Sequence, residues 1–233
     1  MKSPAVYIIL FILSSIAELC AEYYDIAVLR YCSKPLLMIT LAGFFYFSYE
    51  DKLSDENRLM LYALFFAWVG DVALMLNHLT EYAFMIGLGA FLICHVLYIM
   101  HFNAKVKQLK GVKGFVFENK FIIVLFIFYA SVLITFIYPM LGSMKVPVFL
   151  YCAVIMSMCI VALNRITKTN ATSATMILVG AFMFMFSDSI IALNKFSSLF
   201  EDTGVLAPIL IMSLYILGQF FIVEGSIQHE RSA

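Results

Sequence analysis

Long apolar runs, each close to the length of a bilayer crossing, alternate along the chain with short polar segments. They fall at 4–21, 34–49, 59–77, 82–102, 120–138, 146–163, 174–194 and 205–224. A helix rises about 1.5 Å per residue and needs about 20 residues to cross the hydrocarbon core. The second run is the shortest and only approaches that length. The pattern predicts an all-α fold, a polytopic membrane bundle of eight transmembrane helices forming a single transmembrane domain over 1–233. The segments between runs hold most of the charge: Glu50-Asp51-Lys52, Asp55-Glu56, Lys105 through Lys113, Arg165 to Lys168 and Glu201-Asp202. Met1-Lys2 followed by apolar residues to Ala17 has the outline of a signal peptide. However, no small-x-small site ends it and Glu18 interrupts it, so a retained first span is expected.

The placement of basic residues sets an expected orientation. One side would carry Lys2, Lys52, Arg58, Lys105, Lys107, Lys110, Lys113, Lys120, Arg165, Lys168 and Arg231, and the other only Arg30, Lys34, Lys145 and Lys195. Both termini are therefore expected to be cytoplasmic, in a bacterial inner membrane or, in a eukaryote, the endoplasmic reticulum. The sequon Asn170-Ala171-Thr172 would then face the cytoplasm and stay unmodified.

Composition agrees with the pattern. Hydrophobic residues make up 64% and charged residues 13%, against about 45–50% and about 25% in soluble domains. The formal net charge is zero, which gives no basic field for nucleic acid. Cys20, Cys32, Cys94, Cys152 and Cys159 form no CxxC pair and read as ordinary small apolar residues, with Cys32 in a short loop. Metal sites are unsupported. No Gly-rich phosphate loop, HExxH or GxSxG pattern is present, which argues against zinc-protease and serine-hydrolase chemistry.

The candidate chemistry lies inside the spans. Gly70-Asp71 in span three is followed by Asn77-His78, and Ser187-Asp188 in span seven by Asn194-Lys195. Tyr98 and Tyr215 match at the same offset. This suggests a 4+4 parallel internal repeat, although short apolar matches also arise by chance. A carboxylate at the centre of a membrane helix costs about 2.5–3.5 kcal/mol even on insertion scales, and such residues are usually functional. Counted from the span starts, Asp71 and Asp188 sit at matched depth, roughly 18–21 Å from the cytoplasmic end. On parallel helices they could meet across one cavity. The alternative is that each is a structural residue bonded to neighbouring helices.

Seven residues on a helix return to nearly the same face. His78 and Lys195 would thus lie about 10 Å above the two aspartates, near the outer headgroups. Lys34, before Pro35 at the start of span two, belongs to the same side. Such cations could hold a phosphate; ordinary interfacial snorkelling is the alternative. Asn77 and Asn194 could orient the aspartates or bind water. His95 and Tyr98 in span four read as bonding struts or substrate contacts. Tyr215 and Gln219 share a face of span eight, and Glu224 would be solvated at its end. Glu18 reads as the outer end of the first helix in preference to a third catalytic carboxyl.

These residues resemble a known family. The run Phe66-Ala67-Trp68-Val69-Gly70-Asp71-Val72-Ala73-Leu74, then Gly89-Ala90-Phe91 with His95 and Tyr98, is similar to the YhhN-like lysoplasmalogenases. So are Gly180-Ala181-Phe182 through Ser187-Asp188 to Asn194-Lys195-Phe196, Lys34-Pro35, and Tyr215 to Gln219. The resemblance implies hydrolysis of the vinyl ether bond of lysoplasmalogens to a fatty aldehyde and a glycerophospho-ethanolamine or -choline. The implied partners are the lysophospholipid substrate and membrane lipids, and no cofactor is required. Vinyl ether cleavage needs one proton donor and one carboxylate beside an oxocarbenium ion, which Asp71 and Asp188 would supply as a coupled pair. Two other readings stand beside it: a proton-coupled transporter of a small solute or lipid, and a non-catalytic lipid-binding scaffold. No Gly- or Pro-broken spans occur at matched positions, which counts against the transporter.

Overall fold

Three helix starts in this chain are marked by short polar side chains that accept the orphan N–H groups of the first turn. Ser3 accepts the Ala5 N–H with Pro4 in the first helical position, Ser54 accepts the Asn57 N–H, and Asn170 accepts those of Thr172 and Ser173. The sequon asparagine is thus a helix cap. A computed structural model describes residues 3–49, 53–106, 114–200 and 203–231, and every regular element among them is helical. Lys2, Glu50, Asp51, Lys52, Lys107, Lys110, Lys113, Glu201 and Asp202 lie outside the described residues.

The chain divides into two units, 1–105 and 106–233. The first holds α1 (Pro4–Tyr23), α2 (Ala27–Phe47), α3 (Asp55–Met75) and α4 (Glu81–Val106). The second holds a one-turn α5 (Phe115–Glu118), α6 (Phe121–Ile137), α7 (Lys145–Asn164), α8 (Ala171–Phe196) and α9 (Leu206–Arg231). Eight of these helices are long and apolar enough to cross a membrane, and the protein is an integral multi-pass membrane protein. Large apolar side chains cover much of the outer surface, among them Ile9, Leu13 and Ile16 on α1 and Ile127 and Phe128 on α6. Water would not tolerate such patches, whereas lipid tails do.

Several boundaries differ from the expected ones, and three of them move candidate residues. The second span begins at Ala27, not at 34, and Pro35 lies inside the helix. Arg30 and Lys34 look like loop markers, but α1 supplies their counterions: Arg30 pairs with Glu22 at 3.1 Å, and Lys34 with Glu18 at 3.4 Å and Glu22 at 3.7 Å. Cys32 is therefore on a helix and not in a loop. The turn joining the two helices uses Asp25 at φ 51°, a left-handed conformation that aspartate tolerates better than most residues. The third span ends at Met75, short of 77. The eighth continues to Arg231, so Glu224 lies within α9, half-buried, and accepts from Gln228 Nε2 at 2.6 Å instead of ending the helix in solvent.

Close helix packing explains why small residues sit where they do. A Cβ at Gly180 would fall 2.6 Å from the Gly218 carbonyl oxygen and 2.8 Å from the Ile222 nitrogen. Backbone atoms cannot move aside, so α8 and α9 need glycine here to approach this closely. Ser173 seals the same pair by donating to the Gly225 carbonyl at 2.6 Å. Arg165, expected as a loop cation, is 1% exposed and donates to Ser173 Oγ at 3.5 Å. Burial pushes its guanidinium down to about 10, still charged at neutral pH. Val116 N–H bonds Asn164 Oδ1 at 2.8 Å, tying α5 to the end of α7.

Candidate functional site

In the first unit, Asp71 lies four residues from the end of α3 and is 4% exposed. The residue before it controls what can lie alongside. A Cβ at Gly70 would fall 2.6 Å from a ring carbon of Phe91, and one at Gly87 would meet Leu74 at 2.8 Å and the Gly70 carbonyl at 3.4 Å. The α4 helix therefore packs directly over the backbone beside Asp71. One turn beyond Phe91 on the same face lies His95, and then Tyr98, both fully buried. Tyr98 stacks on Phe102 at 5.9 Å, and His101 Nδ1 donates to the Glu56 carbonyl at 2.7 Å, fixing α4 to the start of α3.

His78 is not positioned as the helical period implies. Because α3 ends at Met75, Asn77 and His78 lie in the following turn, both exposed. His78 Nδ1 bonds the Met75 carbonyl and Nε2 the Tyr31 hydroxyl, each at 3.2 Å. A carbonyl only accepts, so Nδ1 carries the hydrogen, and in the neutral ring Nε2 accepts the Tyr31 O–H. The imidazole thereby links this turn to α2.

Lys34 is engaged as well. Its ammonium faces Glu18 and Glu22, and Ser33 Oγ donates to Glu18 at 2.6 Å. Glu18 is 0% exposed. It is not the solvated end of a helix but the centre of a buried ionic cluster between α1 and α2. Its partners are 15 and 16 residues away in sequence, beyond the reach of any local pattern.

In the second unit, Asp188 is half-buried on α8 and accepts the phenolic O–H of Tyr151 on α7. Both line a pocket between α6, α7 and α8 whose other walls include Leu133, Ile155, Met156 and Ala192. Tyr129 reaches in from α6 and donates to Ser189 Oγ at 2.8 Å, and Ser189 donates in turn to the Met185 carbonyl at 2.8 Å. Sequence reasoning singled out neither Tyr129 nor Tyr151. Two tyrosines among 13 carry no local signal, and only helix packing selects them. Here α8 continues to Phe196, so Lys195 is on the same helix as Asp188, two turns on and exposed, beside the exposed Asn194. Tyr215 is buried and packs edge-on against Phe184 at 5.4 Å, one turn before Asp188, and Gln219 is fully buried on the same face of α9.

Among the described residues, no three His, Cys, Asp or Glu side chains gather as metal ligands would. What the geometry does present is a carboxyl within a span of each unit. Asp71 is enclosed by close helix contact, and Asp188 is hydrogen-bonded to a phenol at the edge of a mainly apolar pocket.

No curated protein and no solved structure matches the chain. The YhhN family does, over residues 29–226, a stretch that contains α3 to α8, most of α9 and both aspartates, and the chain belongs to that family.

Proposed function

We propose that the protein is a lipid-modifying membrane enzyme that hydrolyses the vinyl ether bond of lysoplasmalogens, with Asp71 and Asp188 as its acid–base pair. The observation that carries this reading is a carboxyl inside an apolar span of each unit, within a chain of the YhhN family. Such groups are retained in hydrocarbon where they have a task. The reaction suits two carboxyls. One protonates the β-carbon of the vinyl ether and creates an oxocarbenium ion. The other, as carboxylate, faces that cation and takes a proton from the attacking water. The hemiacetal then collapses to a fatty aldehyde and a glycerophospho-ethanolamine or -choline.

The exposed Lys195 and His78 are the proposed grips for the headgroup phosphate. Lys34 already balances Glu18 and Glu22, so any phosphate contact would share it with them. Asn77 and Asn194 would orient water or headgroup, while His95, Tyr98 and Tyr215 would shape the buried wall. The same reading places both termini in the cytoplasm and treats the two sets of four spans as a parallel repeat.

The test is aldehyde release from lyso-ethanolamine plasmalogen by purified protein in detergent. The wild type is expected to turn over without a sealed vesicle, and Asp71→Asn and Asp188→Asn to lose nearly all activity while remaining folded. Uptake that needs an intact vesicle, with no aldehyde formed, would identify a carrier instead.

A further inference from the structure

The cavity between α6, α7 and α8 lies within the second unit and encloses about 410 Å³, its mouth included. That is the size of a small-ligand pocket, and its lining has the usual makeup, mostly apolar with a few polar groups that fix orientation. The α6 helix forms the outer wall. Its buried side chains are Phe126 and Ile137, whereas Val124, Ile127, Phe128 and Val132 are exposed, so this wall stands in lipid. The α7 helix runs antiparallel to α8: Tyr151 meets Asp188, and Cys159 meets Met185 and the Ala181 carbonyl. Ile155, Met156 and Met185 therefore lie at one end of the cavity, Val148 and Ala192 at the other, and Asp188 between them. Lys195 follows about one turn beyond Ala192.

The polar groups of this lining share one property. Its three hydroxyls have each given their hydrogen to a neighbour: Tyr151 to Asp188 Oδ2, Tyr129 to Ser189 Oγ, and Ser189 to the Met185 carbonyl. Asp188 is itself the acceptor in its bond, and two carboxylate oxygens offer about four acceptor positions, more than one phenol uses. Cys152 adds only a weak S–H donor. The cavity thus offers oxygen acceptors between apolar ends, and a ligand polar group placed there must bring its own hydrogen. Resting on the lysoplasmalogen reading for the natural ligand, we infer that this cavity is the subsite for the single chain and free glycerol hydroxyl of a lysophospholipid. The chain lies against Ile155, Met156 and Met185. The hydroxyl donates to the oxygens around Asp188, and the headgroup points past Ala192 towards Lys195. This arrangement explains a preference for one-chain lipids. In a diacyl lipid the same hydroxyl is esterified and donates nothing, while a released aldehyde also lacks a donor and is free to leave for the bilayer.

The test uses full-length protein in nanodiscs of diacyl phosphatidylcholine. The probe is a saturated-ether lysophosphatidylethanolamine with a diazirine near the chain end, which has no vinyl ether to hydrolyse. Photolabelling is expected on the α7 and α8 peptides that carry Ile155, Met156 and Met185. Excess unlabelled saturated-ether lysolipid should abolish it. The 2-O-methyl analogue, alike in chain and headgroup but with the hydroxyl capped, should compete at least about tenfold more weakly, as befits a lost bond to a charged acceptor. Leu133→Trp, which fills the cavity from α6, should lose the label; Phe128→Trp, on the exposed face of α6, should keep it. Equal competition by the capped analogue, or label spread evenly over the lipid-facing surface, would overturn the inference. If Leu133→Trp fails to fold, the two competitors on wild type still decide. Aldehyde release from lyso-ethanolamine plasmalogen is scored separately. Turnover without cavity labelling overturns the subsite and leaves the enzyme reading standing. Hydroxyl-dependent labelling without turnover upholds the lysolipid site and removes the hydrolase.

Discussion

Asp71 and Asp188 share a short signature: a small residue before, then an asparagine and a basic residue six and seven positions later. Their surroundings differ in three ways. The α3 helix stops at Met75, so His78 hangs in a turn and bonds Tyr31 and the Met75 carbonyl, whereas α8 runs on to Phe196 and keeps Lys195 helical. The small residue before Asp71 is a glycine that admits the Phe91 ring; before Asp188 it is a serine whose hydroxyl donates to the Ile211 carbonyl at 3.0 Å. Asp188 has a phenol as partner and a pocket in front of it, while Asp71 is enclosed by α4. A matched motif therefore does not transfer geometry. Where the helix ends and what packs on the preceding residue decide how each carboxyl is presented.

The comparison can be broken or sharpened by substitution. The largest effect is expected at the carboxyls themselves. Asp71→Asn and Asp188→Asn should each lower turnover about 10²–10⁴-fold, the usual range for loss of a general acid or base. If either kept wild-type turnover, the two would not be partners in one reaction. Next come the residues before them. Gly70→Ala forces a Cβ against the Phe91 ring and should cost about 1–3 kcal/mol. Ser187→Ala removes one hydrogen bond and should cost about 1 kcal/mol. Thermal unfolding in detergent ranks the pair, and equal costs would mean that α4 does not press on Gly70 as described.

The basic residues should separate too. Lys195→Ala is expected to raise KM about tenfold with kcat nearly kept, as a group that only grips phosphate would. His78→Ala, removing a ring already bonded to Tyr31, should raise KM by no more than about threefold. An unchanged KM in Lys195→Ala would remove that residue from the site. The smallest change is expected for Tyr31→Phe, which frees one exposed imidazole nitrogen and should shift stability by about 0.5 kcal/mol or less.

The eight spans were legible because hydrocarbon imposes length and apolarity on every crossing. The aspartates inside the spans were legible for the same reason, being expensive exceptions to that rule. Their settings were not. The early start of α2 stayed hidden because Arg30, Lys34 and Pro35 look like a loop until Glu18 and Glu22 arrive from another helix. Glu18 seemed dispensable, because an acid near the end of an apolar run usually reaches solvent, and nothing local announced Ser33 and Lys34 as its partners. The end of α3 at Met75 is a matter of one turn, yet it changes where His78 points. Tyr151 was invisible because selecting one phenol requires knowing which helix faces α8.

The salt-bridged hairpin of α1 and α2 has a practical corollary. The family match begins at residue 29 and so excludes Glu18 and Glu22, yet these two acids compensate Arg30 and Lys34 inside the matched stretch. Trimming the polypeptide to the shared core would strand two cations against hydrocarbon, at a cost of about 3–5 kcal/mol for a broken buried pair. Anyone shortening the gene for crystallisation, or splicing a reporter after the opening helix, should expect poor insertion and rapid proteolysis, with yield recovering when residues 1–28 are restored.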